Sequence, residues 1–240
     1  SRSRVKWTDG SPDGSGGAGE GGSELGSVSS ARTGVDPTWY YGEGTSLGLR
    51  SSQLLARRPD TAEASKLTAD ELFLRKVANN LEHLVAGRKP VVLVSTGAFN
   101  PIHLQHVRMF YLARNYLGER TEYQVVGGLL SPSHDKYVRQ KLRRFPCQAI
   151  PILQRVAMCE LAVAGSSWLA VGRWEATRRN IMDYPSVLRN VQQRLVTAFG
   201  ARAPHVMLLC GADYLVTVGP NTIKNFGCIC CARPGYTEQL

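Results

Sequence analysis

Residues 91–114 read VVLVSTGAFNPIHLQHVRMFYLAR. The run Val91–Ser95 has the β-branched, apolar composition of a buried strand. A helix is expected from about Ile102 to Leu117, with Val107, Phe110, Ala113 and Leu117 on one side and Gly118 just after it. Between them, Gly97 permits an unusual backbone angle and close approach of a ligand, and Pro101 suits a first helical turn because its missing N–H would have no partner there. Free backbone donors feeding into the positive end of a helix attract phosphate. His103 and His106, three residues apart, fall on one helical face and can donate to the same group of phosphate oxygens. The alternative is that the two histidines cap or cover a surface helix. Zinc lacks an evident third ligand.

The same alternation extends outward in both directions. Upstream, TADELFLRKVANNLEHLVAG opens with Thr68 and Glu71 in a capping pattern and repeats Leu74, Val77, Leu81 and Leu84 at helical spacing, with Gly87 as the expected stop. Downstream come a strand in YQVVGGLL, a helix near Ile152–Ala164, a strand in WLAVGR, a helix near Pro185–Ala198, and strands in VMLLCG and GCICCA. Apolar strands taking turns with helices predict an α/β fold, a Rossmann-like doubly wound parallel sheet covered on both faces. Ligands of such sheets bind at the carboxyl ends of the strands, so the segments following each strand are where chemistry is expected.

The 240 residues leave room for one sizeable α/β domain and a tail, and no apolar run approaches the roughly 18 residues a membrane span needs. The formal net charge is +10, unevenly placed: residues 1–60 hold seven basic and seven acidic residues, so residues 61–240 carry the excess. Such a domain favours anionic partners, whether nucleic acid, acidic membrane or phosphorylated small molecules, and a merely soluble basic surface is the plain alternative. Half of the 24 glycines lie in the first 60 residues, and GSPDGSGGAGEGGSELGS offers no apolar face. Residues 1–62 are therefore expected to be a disordered leader, and 63–240 the folded domain. Acidic residues argue against a mitochondrial transit peptide, no stretch suits a secretory signal, and the start at Ser1 is expected of a fragment or processed product. The six cysteines, 147, 159, 210, 228, 230 and 231, lie mostly in apolar runs and fit buried reduced thiols of a nuclear or cytoplasmic protein better than a metal site.

GAFNPIHLQH is similar to the G-x-F-x-P-x-H/T-x-x-H signature of the nucleotidylyltransferases. GGLLSPSHDKYVRQKL, MCELAVAGSSWLAVGRWEA, LLCGADYL and FGCICCARPG, in that order, narrow the resemblance to the eukaryotic nicotinamide mononucleotide adenylyltransferases over residues 90–236. The resemblance implies transfer of AMP from ATP to nicotinamide mononucleotide, and to nicotinate mononucleotide, giving NAD and pyrophosphate with Mg²⁺ carried on the substrate and no protein-bound metal. Gly97, Ala98 and Phe99 would line the mononucleotide and the reacting phosphates through their backbone. His106 would be the family's ATP-phosphate histidine, with His103 beside it. Arg139 takes the place of a family lysine, retaining charge but exchanging an ammonium for a planar fork; its plain alternative is a solvated loop charge. Gly211 and Asp213 follow a strand end where a carboxylate can accept both ribose hydroxyls, unless Asp213 is a helix N-cap. Trp174 and Glu175 match a W-E pair, although a tryptophan just past a strand also suits core packing.

Two departures accompany these matches. Ile181 and Ile223 stand where the family stacks aromatic rings on the pyridine, with Tyr184 or Tyr214 as substitutes. The family's later S-T/S-x-x-R phosphate segment is not found, so the domain is expected to be C-terminally incomplete, from an active parent. Alternatives are a non-catalytic nucleotide-binding scaffold and another adenylyltransferase, such as one using phosphopantetheine. A nucleic-acid binder rests on the basic excess alone, without an RNA-recognition or helix-turn-helix signature. Homo-oligomers are common in the family.

Overall fold

The structure is a computed structural model that describes residues 5–8, 67–218 and 226–231. In chain order the elements are β1 (Val5–Thr8), α1 (Ala69–Leu81), β2 (Lys89–Gly97), α2 (Leu104–Arg120), β3 (Tyr123–Pro132) and α3 (Asp135–Lys141). They continue with α4 (Ile152–Val163), β4 (Leu169–Val171), α5 (Tyr184–Phe199), β5 (His205–Gly211), α6 (Ala212–Val218) and β6 (Cys228–Cys231). The strands lie side by side as β1-β6-β5-β2-β3-β4. From β6 to β4 every pairing is parallel, and β1 adds to β6 antiparallel, Val5 opposite Cys231. The chain therefore starts its parallel sheet in the middle, at β2, winds outward through β3 and β4, and returns to the other side of β2 to lay down β5 and β6. This is the doubly wound α/β sheet expected from the alternation, and its switch point falls between β2 and β5.

Successive strand residues face opposite layers. Val92, Val94, Val206, Leu208, Cys210, Cys228 and Cys230 pack with Phe73 and Val77 of α1 and Val187, Leu188, Val191 and Leu195 of α5. Val91, Leu93, Met207, Leu209 and Ile229 pack with Phe110, Ala113 and Leu117 of α2 and with Val156 and Cys159 of α4. The glycine pair in β3 sets how closely these layers approach. A Cβ on Gly127 would lie 2.8 Å from Val77 Cγ2, and one on Gly128 would lie 2.6 Å from Leu169 Cδ2 and 2.9 Å from Phe110 Cδ1. Glycine here serves close packing rather than a turn.

Several boundaries depart from the sequence reading. α1 stops at Leu81 instead of running to Gly87, which sits at φ 80° in the loop before β2. The Asn80 side chain turns back to donate to the Lys76 carbonyl, and Leu84 N–H bonds Leu81 in a tight turn, so Leu84 leaves the helical face. α2 begins at Leu104 rather than Ile102 and passes through Gly118 to Arg120. Arg88 explains the extension: its guanidinium donates to the carbonyls of Gly118 and Thr121, both at 2.6 Å, satisfying helix-end acceptors that would otherwise need a glycine cap. α3 had no apolar periodicity to announce it, and its N-cap is the His134 ring, which accepts from Lys136 N–H at 3.0 Å. Val5–Thr8 forms strand β1 inside the stretch expected to be without structure; the rest of the leader lies outside the described residues, as does Ile223.

Candidate active site

β2 and β5 run parallel with Val94 opposite Leu208, and each ends three residues later in a glycine, Gly97 and Gly211. The segments that leave these two ends part toward opposite layers of the sheet, α2 on one and α6, in the layer of α5, on the other. In a doubly wound sheet this opens the ligand crevice.

On the β2 side the turn runs through Thr96, Gly97 and Ala98, all half-buried, to Phe99, buried at φ 41°. The left-handed residue is thus Phe99 and not Gly97, which is the last residue of the strand. A Cβ on Gly97 would lie in ordinary van der Waals contact with the Phe99 ring, at 3.5 Å, so the turn packs its own phenylalanine against the glycine. The Asn100–Pro101 peptide is cis, and Pro101 precedes the helix instead of sitting in its first turn. Asn100 fastens the turn to the segment before α4: its amide donates to the Gln148 carbonyl and its oxygen accepts from Ile150 N–H, both at 2.8 Å.

His103 is the N-cap residue of α2, and His106 lies at its third position. Their rings stack with centroids 3.7 Å apart, and the His106 ring meets Phe99 edge-on at 5.0 Å. His103 N–H donates to His106 Nδ1 at 3.2 Å. Because a backbone N–H can only donate, Nδ1 is the acceptor and the neutral ring carries its proton on Nε2. No acidic residue occupies the first turn of this 17-residue helix, so the helix's own sequence does not offset the positive end of its dipole. The expected pair of imidazoles at a helix start is present, in an arrangement where each fixes the other.

On the β5 side, Gly211 is buried, and Asp213 is half-buried in the first turn of α6, which starts at Ala212. Asp213 is therefore a helical residue and not the N-cap. Burial pushes the hydroxyl pKa of its neighbour Tyr214 upward, opposed by the Thr96 side chain at the end of β2. Tyr184 meets Tyr214 edge-on at 5.9 Å, and Trp174, half-buried against the same core, carries the Arg178 guanidinium 5.1 Å over its ring. Tyr184, Tyr214 and Trp174 form the aromatic surroundings of this side, whereas Ile181 is 38% exposed. Arg139 is exposed and lies on α3 near its end, not in a loop. Among the described residues no group of three or more His, Cys, Asp or Glu side chains is placed to hold a metal ion, and no helix is long and apolar enough to cross a membrane.

Sequence reasoning passed over the side chain that joins these parts. Arg155, on α4, is fully buried. Its guanidinium donates to the carbonyls of Ala98 at 2.7 Å, Ser133 at 2.8 Å and Ile150 at 2.9 Å, and pairs with Asp135 Oδ1 at 2.8 Å. Nearby, Glu175 is buried and accepts from Ser131 Oγ at 2.6 Å. Burial raises its pKa to about 7, opposed by hydrogen bonds from Ser131 and Ser133 and by the charge of Arg155. An arginine flanked at helical spacing by Ile152, Met158 and Cys159 was the available signal, since such a charge is buried only when several acceptors await it.

The family model described as cytidylyltransferase-like matches residues 94–237, from the end of β2 past β6. The chain is 37% identical over 161 residues to a nicotinamide/nicotinic acid mononucleotide adenylyltransferase of Oryza sativa subsp. japonica, an alignment covering 62% of this chain and 61% of the relative. It is 30% identical over 195 residues to nicotinamide/nicotinic acid mononucleotide adenylyltransferase 1 of Bos taurus, covering 62% and 67%. Against the corresponding enzyme 1 of Saccharomyces cerevisiae it is 33% identical over 165 residues, covering 61% and 39%. The chain thus spans about two fifths to two thirds of the length of these relatives. With the family model matching more than half of its residues, this chain belongs to the cytidylyltransferase-like family, among the eukaryotic nicotinamide/nicotinic acid mononucleotide adenylyltransferases it resembles.

Proposed function

We propose that this chain transfers the adenylyl group of ATP to nicotinamide mononucleotide, and to nicotinate mononucleotide, forming the dinucleotide and pyrophosphate in NAD biosynthesis. The observation that carries the reading is the meeting, at the β2–β5 switch point, of a glycine turn that runs into a helix N-terminus bearing two stacked histidines with the Gly211–Asp213 segment. The first suits phosphates and the second suits ribose hydroxyls. The names of the relatives supply the substrates.

In this reading a phosphate oxygen of the mononucleotide attacks the α-phosphorus of ATP. A P–O bond forms there, the bond from the α-phosphorus to the bridging oxygen breaks, and pyrophosphate leaves with the electron pair. The nucleophile is already ionised, so no side chain has to remove a proton; catalysis is positioning and charge stabilisation. His106, donating through Nε2, and His103 hold the triphosphate at the start of α2. The backbone of Gly97, Ala98 and Phe99 lines the reacting phosphates, Arg139 adds positive charge, and Asp213 orients a ribose. Trp174 with Tyr184 and Tyr214 offers aromatic surface for a base. Oxygen donors of the triphosphate itself suit Mg²⁺, which in this reading enters with the nucleotide as part of the substrate. The buried thiols suit a reducing nuclear or cytoplasmic compartment.

The test is direct: incubation of the folded chain with ATP, Mg²⁺ and nicotinamide mononucleotide, with NAD read by a dehydrogenase. NAD accumulation supports the proposal, and none from folded protein that binds ATP contradicts it.

A further inference from the structure

The Arg155 guanidinium is surrounded by oxygen acceptors contributed by three separate segments: the turn after β2, the end of β3, and the irregular stretch before α4. Four hydrogen bonds use four of its five N–H donors, and the side chain has no exposure to solvent. Such a fork fixes not only where these segments lie but which way their peptides face. In a trans peptide the C=O and the following N–H point in opposite directions, and among the described residues the only cis peptide is Asn100–Pro101. Drawing the Ala98 carbonyl toward Arg155 therefore turns the N–H of Phe99 the other way. Drawing the Ser133 carbonyl in does the same to the N–H of His134. Neither N–H finds a protein acceptor among the described residues. Phe99 is held at φ 41°, an uncommon angle for a non-glycine residue, which requires such outside restraint.

We propose that Arg155 is a positioning residue for adenylyl transfer: by gripping the carbonyls of Ala98 and Ser133 from below, it aims the backbone N–H groups of Phe99 and His134 at the phosphates of the bound nucleotide. The inference rests on the reading of the β2 turn as a nucleotide-phosphate site. Arginine is needed rather than any cation, because a lysine has one nitrogen and cannot reach acceptors spread around a planar fork. Asp135 balances the buried charge.

The experiment compares the chain with Arg155→Lys and, as a control far from the turn, Lys89→Gln at the opposite end of β2, reading NAD formation per ATP-binding site counted by calorimetry. Misplacement of reacting groups by about 1 Å costs up to about 100-fold, so Arg155→Lys is expected to lower kcat by roughly 10- to 100-fold while KM for ATP and the mononucleotide moves less than about threefold. A kcat per site equal to that of the parent overturns the proposal. If Arg155→Lys does not fold, amide hydrogen exchange in the unaltered chain decides. The Phe99 and His134 amides should exchange freely and become protected when a nonhydrolysable ATP analogue with Mg²⁺ binds. Unchanged exchange at both with the analogue bound overturns it. Absence of NAD formation by the unaltered chain would instead defeat the functional reading, with the amide protection still reporting whether the Phe99 and His134 N–H groups meet the nucleotide.

Discussion

The hydroxyl of Ser131 stands 2.6 Å from Oε2 of Glu175, and both side chains are buried at the carboxyl ends of β3 and β4. Burial lifts the carboxyl from 4.5 to about 7, so between these values the unfolded chain releases a proton that the folded one retains. Stability contributed by Glu175 is therefore fully present below about pH 4.5 and is lost as pH rises through about 7. The shift corresponds to on the order of 3 kcal/mol. Urea unfolding at pH 5 and pH 8 checks this: Glu175→Gln should be more favourable relative to the parent at pH 8 than at pH 5. An identical difference at both pH values would contradict it.

His106→Ala removes the acceptor for His103 N–H together with the Nε2 donor at the start of α2. Loss of one preorganised donor to a developing oxyanion costs about 2.7–4 kcal/mol, so kcat should fall by roughly 10²- to 10³-fold with the circular dichroism spectrum unchanged. A loss confined to KM would instead mean that the ring binds ground state and transition state alike.

Asp213→Ala deletes the carboxylate that follows β5 on the far side of the crevice. Hydrogen bonds to a charged group are worth about 1.5–3 kcal/mol, and KM for ATP is expected to rise by roughly 10- to 100-fold. With 2′-deoxy-ATP the same substitution should cost less, because part of the contact is already missing. Equal penalties for the two nucleotides would remove ribose recognition from Asp213.

Much of this was legible in the sequence, and what was not has a physical cause. Strand and helix order followed from apolar periodicity, because buried parallel strands and amphipathic helices impose it, and His103, His106, Gly211 and Asp213 stood out as polar or glycine breaks just beyond strand ends. The end of α2 was misread at Gly118 because its cap is the side chain of Arg88, distant in sequence. Arg155 went unnoticed for the same reason: its partners at 98, 133 and 150 come together only in the fold. Gly97 looked like the residue that needed a positive φ, yet Phe99 adopts it, held by tertiary contacts that override local preference. Tyr214 and Tyr184 could be named from the sequence but not joined; their edge-on contact depends on α5 and α6 sharing one layer.

Gly128→Ala tests the packing account independently of chemistry. The new methyl would sit 2.6 Å from Leu169 and 2.9 Å from Phe110, both fully buried. Overpacking of this kind costs about 1–3 kcal/mol, so the thermal midpoint should drop by several degrees while KM for ATP stays as in the parent. An unchanged midpoint would show that α2 and β4 stand farther from β3 than described.

Direct adenylyl transfer at the β2–β5 switch point is most sharply tested with ATP labelled at the α-phosphorus, supplied with Mg²⁺ and nicotinamide mononucleotide. The label should appear in NAD in step with release of unlabelled pyrophosphate and without passing through a protein-bound adenylate. Label that stays in ATP in the presence of folded, ATP-binding chain, or that accumulates covalently on the protein, would contradict the account.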